Sequence, residues 1–82
     1  MSKTAYRNAA GNRIVSKRLK GLMVEHDASL RELARITGAP EKSLMAKIDG
    51  QKKWLFRELL AIIKYFNYTE VKEVFPELYN SA

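Results

Sequence analysis

Residues 29–50 read Ser-Leu-Arg-Glu-Leu-Ala-Arg-Ile-Thr-Gly-Ala-Pro-Glu-Lys-Ser-Leu-Met-Ala-Lys-Ile-Asp-Gly. Leu30, Leu33, Ala34 and Thr37 recur at helical spacing, as do Leu44 and Ile48, so this stretch predicts two short amphipathic helices. Ser29 followed by Glu32 has the form of a capping box, Ser29 accepting from the third helical amide and Glu32 reaching back. Gly38 supplies the left-handed residue that ends the first helix. Pro40 suits the opening turn of the second, where its missing N–H costs nothing. Helices joined by so short a turn cross steeply, and each must bury its apolar stripe against further helices.

Those further helices are visible in the pattern. The first spans about Val15 to Glu25, with Val15, Leu19, Leu22 and Met23 inward and Lys17 and Arg18 outward. A fourth covers about Leu55 to Phe66. Phe56, Leu59, Leu60, Ile63 and Phe66 form its stripe, widened by Leu55, Ile62 and Tyr65. A helix apolar over so much of its girth is either buried nearly all round or has a second face for another subunit. Asn67 ends it, Thr69 is placed to cap a last short helix over Glu70 to Phe75, and Pro76 stops that. The expected fold class is all-α: a compact five-helix domain over residues 14–82, preceded by a flexible basic arm over residues 1–13.

Eighty-two residues leave room for one small core. With no cysteine, disulfides and thiolate metal sites are excluded, which suits a reducing, cytoplasmic setting. The longest apolar run, Leu59 to Ile63, is too short for a bilayer, and the N-terminal residues lack the apolar core of a signal peptide. His26 is the only histidine and reads as a turn residue, not a metal ligand. No nucleophile–base pair, paired carboxylates or glycine-rich phosphate loop can be assembled, so neither an enzyme nor a cofactor is expected.

The net charge of +6 is unevenly spread. Lys3, Arg7, Arg13, Lys17, Arg18 and Lys20 precede the first acid, Glu25. Lys52, Lys53 and Arg57 follow Gly50 with no acid among them, and the two intervening and final stretches are slightly acidic. One positive patch therefore precedes the helix pair and another follows it. Such bracketing suits a polyanion, although a solvated basic surface has the same composition.

Residues 29–75 resemble the lambda-repressor/Cro-like helix-turn-helix family, in particular small phage-type regulators. The resemblance rests on Ser29, Glu32-Leu33-Ala34, Gly38-Ala39, Leu44, Ile48 and Gly50, followed by an apolar helix and the Asn67-Tyr68-Thr69 turn. With the first helix it covers about Ile14 to Phe75. It implies a sequence-specific, double-stranded DNA-binding transcriptional regulator whose third helix enters the major groove, acting as a homodimer. Carried over residue by residue, it places Glu41, Lys42, Ser43, Ala46 and Lys47 at base edges. Arg31, Lys52, Lys53 and secondarily Arg18 fall on the phosphate backbone, and Lys3, Arg7 and Arg13 form the arm, in a minor groove or in solvent.

The resemblance also implies a dimer contact toward the C-terminus, involving some of Tyr65, Phe66, Tyr68, Phe75, Leu78 and Tyr79, residues otherwise expected in the core. Trp54 is expected to anchor the basic loop on the fourth helix. The chain departs from the family pattern at Leu30, where glutamine is usual, and at Pro40, where a capping hydroxyl is usual. With Glu41, Met45 and Ala46 these departures make an unusually apolar recognition face. They motivate an alternative, a protein-binding modulator or antirepressor on the same fold with weak or lost DNA binding.

Overall fold

Apolar residues at helical spacing collect into five α-helices and a closing 3₁₀ turn in the computed structural model, which describes residues 14–79. In chain order these are α1 (Lys17–Glu25), α2 (Leu30–Thr37), α3 (Glu41–Ile48), α4 (Phe56–Tyr65), α5 (Val71–Val74) and the 3₁₀ turn Pro76–Tyr79. The described residues are all helix, turn and loop, with no strand among them, so the fold is all-α.

Each helix sends one stripe inward. Leu19 and Leu22 of α1, Leu33 and Ala34 of α2, and Leu44 and Ile48 of α3 are buried together with Leu59, Ile62, Ile63 and Phe66. Val74 and Phe75 close the core from the C-terminal side. At about 1.5–3 kcal/mol for each large apolar side chain withdrawn from water, this cluster is the main stabilising term. α2 lies against both α3 and α4, which makes it the backing for the helix that follows the turn.

The caps follow the sequence in part. The Glu32 amide donates to Ser29 Oγ at 3.0 Å, but the Glu32 carboxylate lies 3.8 Å from Arg35 instead of returning to the Ser29 amide. Gly38 ends α2 at φ 78°, its N–H donating to Ala34 O at 2.8 Å. α1 begins after Ser16, slightly later than the Val15 start, because the Ser16 amide donates to Ile48 O and so belongs to the junction with α3. The last helix is capped at Glu70 and not Thr69. Glu73 accepts from both amides, and its carboxylate does the work assigned to the threonine hydroxyl. Pro76 opens the 3₁₀ turn, and Glu77 Oε2 accepts from the Arg18 amide in the first turn of α1, where the helix dipole favours an anion.

α4 is not buried all round. Leu55, Phe56 and Leu60 remain exposed, while the interior position between them and Leu59 is taken by Glu58, which is 2% exposed. The inward arc of α4 therefore runs through residues 58, 59, 62, 63 and 66, and the apolar stripe predicted through Phe56 and Leu60 points to solvent instead.

Candidate nucleic-acid interface

α3 is fastened from beneath by Leu44 and Ile48, 0% and 2% exposed. The turn Gly38-Ala39-Pro40 sets its start, and the arrangement of α2 and α3 is consistent with a helix-turn-helix. Its outer side carries Glu41, Lys42 and Met45 in solvent, with Ser43 and Ala46 half-buried. Between this side and the start of α2 lies an open depression of about 440 Å³. It is lined by Leu30, Met45 and Ala46 together with Glu41, Lys42, Asp49 and Gln51.

Lys47 does not belong to that outer side. It is 7% exposed, and its Nζ donates to Glu58 Oε2 at 2.6 Å and Oε1 at 2.7 Å. Glu58 Oε1 also accepts from the Leu55 amide at 2.9 Å. An ammonium held by two carboxylate oxygens inside the protein has no reach to a base edge, so the expectation for Lys47 is corrected. Burial by itself raises the Glu58 pKa. The hydrogen bonds from Lys47 and the Leu55 amide, with the charges of Lys47 and Arg57, outweigh it and hold the carboxyl below its ordinary value.

The ion pair joins the last turn of α3 to the first turn of α4, and the intervening residues 49–55 carry Lys52 and Lys53, both exposed. Gly50 begins that connection at φ 81°, with an added Cβ 2.5 Å from the Ile14 backbone nitrogen. Trp54 fixes its far end. Its ring meets Phe75 edge-on at 5.1 Å, so the anchor packs on this C-terminal core residue. Arg57 Nη1 donates to Thr37 O at 3.1 Å, closing the C-terminal end of α2.

The remaining cations divide into engaged and free. Arg18 donates from Nε to Glu73 O at 3.2 Å and from Nη2 to Tyr68 Oη at 3.0 Å, and its guanidinium lies 5.8 Å from the Tyr68 ring centre. That guanidinium is turned to the C-terminal segment, and Arg18 remains exposed. Arg31 is highly exposed and 3.9 Å from Glu41, and Lys20 is 3.5 Å from Asp49. Lys42, Lys52 and Lys53 form no ion pair among the described residues. Lys3, Arg7 and Arg13 lie outside the described residues.

Among the described residues no group of three or more His, Cys, Asp or Glu could hold a metal ion, and no helix is long and apolar enough to cross a membrane. No family model, curated protein or solved structure matches the chain.

Sequence reasoning omitted Gln51 and Glu58 from the site. Glu58 was legible in principle: it precedes Leu59 and stands four residues before Ile62, on the buried arc of α4. Gln51 lies beyond the helix, where periodicity carries no signal, and only the turn at Gly50 brings it to the depression.

Proposed function

We propose that the chain is a double-stranded DNA-binding transcriptional regulator of the phage repressor or Cro kind, with the outer side of α3 in the major groove. One observation carries this reading: among the described residues Lys42 on α3 and the exposed Lys52 and Lys53 of the connection that follows form no ion pair, while the carboxylates of Glu41 and Asp49 each have a cationic neighbour. The face is therefore net positive and supplies register and affinity through phosphates. Lys42, Ser43 and Ala46 are the base-facing residues, with Glu41 able to accept from cytosine N4, while Arg31, Lys52 and Lys53 hold the backbone.

The homodimer implied by the resemblance belongs to the same proposal. Phe66 and Phe75 are spent inside the subunit and Tyr79 is exposed, while Leu55, Phe56 and Leu60 leave an apolar face in solvent at α4. A second copy joined through that face would supply the second α3 that two half-sites about 34 Å apart require.

Titration of a fluorescent random-sequence duplex at several salt concentrations tests the reading. Roughly three to five phosphate contacts give about a 40- to 500-fold loss of affinity between ~50 and ~200 mM salt. Salt-independent affinity, or none at low salt, overturns it.

A second reading is favoured by the apolar depression itself. Leu30 and Met45 side by side would suit a protein partner, making the chain a modulator or antirepressor. Met45→Asp separates the two: lost regulatory activity with intact low-salt duplex binding supports this second reading, and unchanged activity counts against it.

A further inference from the structure

The stretch from Gly50 to Thr69 contains one acid, Glu58, and that carboxylate is buried against Lys47. Every charge this stretch shows to solvent is therefore positive. Lys52, Lys53, Arg57 and Lys64 are exposed, and none is in an ion pair among the described residues. Arg57 keeps one donor on Thr37 O. The same stretch leaves Leu55, Phe56 and Leu60 in solvent, 48%, 66% and 40% exposed. At 3.6 residues per turn, Phe56, Leu60, Lys64 and Arg57 fall within about 100° of the circumference of α4 and extend over roughly 12 Å of its length. The buried residues 58, 59, 62, 63 and 66 occupy the other side. α4 thus presents a strip of hydrocarbon and cations side by side, and Lys52, Lys53 and Leu55 continue it ahead of the first turn.

The candidate occupants of that strip meet different physics. A second copy brings its own hydrocarbon but sets cations against cations, a cost that salt relieves. Duplex DNA answers the cations and leaves Phe56 and Leu60 in water. An anionic bilayer surface answers both: its headgroups attract lysine and arginine, and the acyl boundary beneath takes aromatic and aliphatic side chains while long cationic stems reach back to the headgroups. We propose that the strip is a docking surface for an anionic lipid bilayer, with the axis of α4 parallel to the membrane plane. The contact is peripheral. Phe56 and Leu60 enter the interface, and Lys52, Lys53, Arg57 and Lys64 meet headgroup phosphates. This inference goes beyond the duplex reading and does not depend on it. Because it uses the face offered there to a second copy, the lipid-bound chain is a monomer, and membrane and self-association draw on one surface.

Flotation of the full chain with vesicles tests this, using phosphatidylcholine alone and equal parts phosphatidylcholine and phosphatidylglycerol. The chain floats with the anionic vesicles only, and less of it floats as salt rises. Lys64→Gln weakens binding about fivefold at low salt, the share of one cation near the surface. Phe56→Gln weakens it about tenfold, the effect of returning an apolar side chain to water. Both positions are exposed, so folding is spared. Lys17→Gln, which removes an exposed cation from α1, weakens binding less than Lys64→Gln because it lies off the strip. Equal flotation with both vesicle types, full binding by Phe56→Gln, or equal losses for Lys17→Gln and Lys64→Gln each overturn the strip as the membrane contact. Absence of flotation with either vesicle at low salt overturns it in favour of a protein occupant, a second copy if self-association strengthens as salt rises.

Discussion

Lys47 and Glu58 form a buried ion pair, 2.6 Å apart, that closes the connection between the third and fourth helices. Its lone pairs and protons are largely satisfied, since Glu58 also accepts from the Leu55 amide. Buried pairs of this kind contribute little net stability against an apolar substitute, but breaking one strands a charge in the interior. The pair thus sets the position of the basic loop more than it strengthens the fold.

Glu58→Gln or Lys47→Met alone destabilises the domain by roughly 3–5 kcal/mol, the usual cost of orphaning a buried charge. The double variant Lys47→Met/Glu58→Gln recovers much of that loss, because neither charge remains. Urea unfolding of the three variants measures this, and additive single losses would contradict it.

Acid weakens the wild type through the same carboxyl. Glu58 is held below its ordinary pKa in the folded chain, so the unfolded state binds the proton more readily. The stabilisation is present above the ordinary carboxylate range, about 4.3, and is lost as pH falls from there through the lowered folded value. The stability gap between wild type and Glu58→Gln should therefore narrow in acid. A gap that stays constant with pH speaks against this role.

Two glycines with the same sign of φ should respond differently. Gly38 and Gly50 both sit in the left-handed region, at 78° and 81°. An alanine at Gly38 meets open space and loses only the conformational preference, about 1–2 kcal/mol. An alanine at Gly50 adds a clash with the Ile14 backbone and displaces the start of the basic loop. Thermal denaturation should rank Gly50→Ala below Gly38→Ala, and duplex affinity should fall for the former by more than its lost stability explains.

Lys52→Ala/Lys53→Ala should weaken binding to all duplexes alike and reduce the slope of log affinity against log salt by about 1.8, two phosphate contacts' worth. A changed sequence preference with an unchanged slope would make these residues base readers instead.

Phe56→Glu replaces a side chain 66% exposed in the free subunit, so folding is spared. Sedimentation equilibrium should show weaker self-association and duplex titration a loss of cooperativity. An unchanged oligomeric state places any dimer contact elsewhere.

Much of the fold could be followed along the chain. The Ser29 cap, the Gly38 stop, the inward Leu33, Ala34, Leu44 and Ile48, and the turn at Asn67 are each decided by a few neighbouring residues, and each stands where local rules put it. The candidate site was less legible. Lys42, Lys52 and Lys53 are exposed, as a lysine on a polar face or loop ordinarily is. Arg18 is bonded to Glu73 and Tyr68, 55 and 50 residues away in order. No window of sequence contains that partnership.

The amino-acid order by itself determined the helices, the Ser29 and Gly38 ends of α2 and the all-α class, because helix formation and these two caps are settled within one or two turns of the backbone. Tertiary structure alone decided which charges stay available. Lys47 is three residues from Leu44 and shares its side of the helix, yet a lysine is buried only if a carboxylate arrives to meet it. Glu58 arrives from another helix, and once the two charges leave water together the choice between reader and fastener is made.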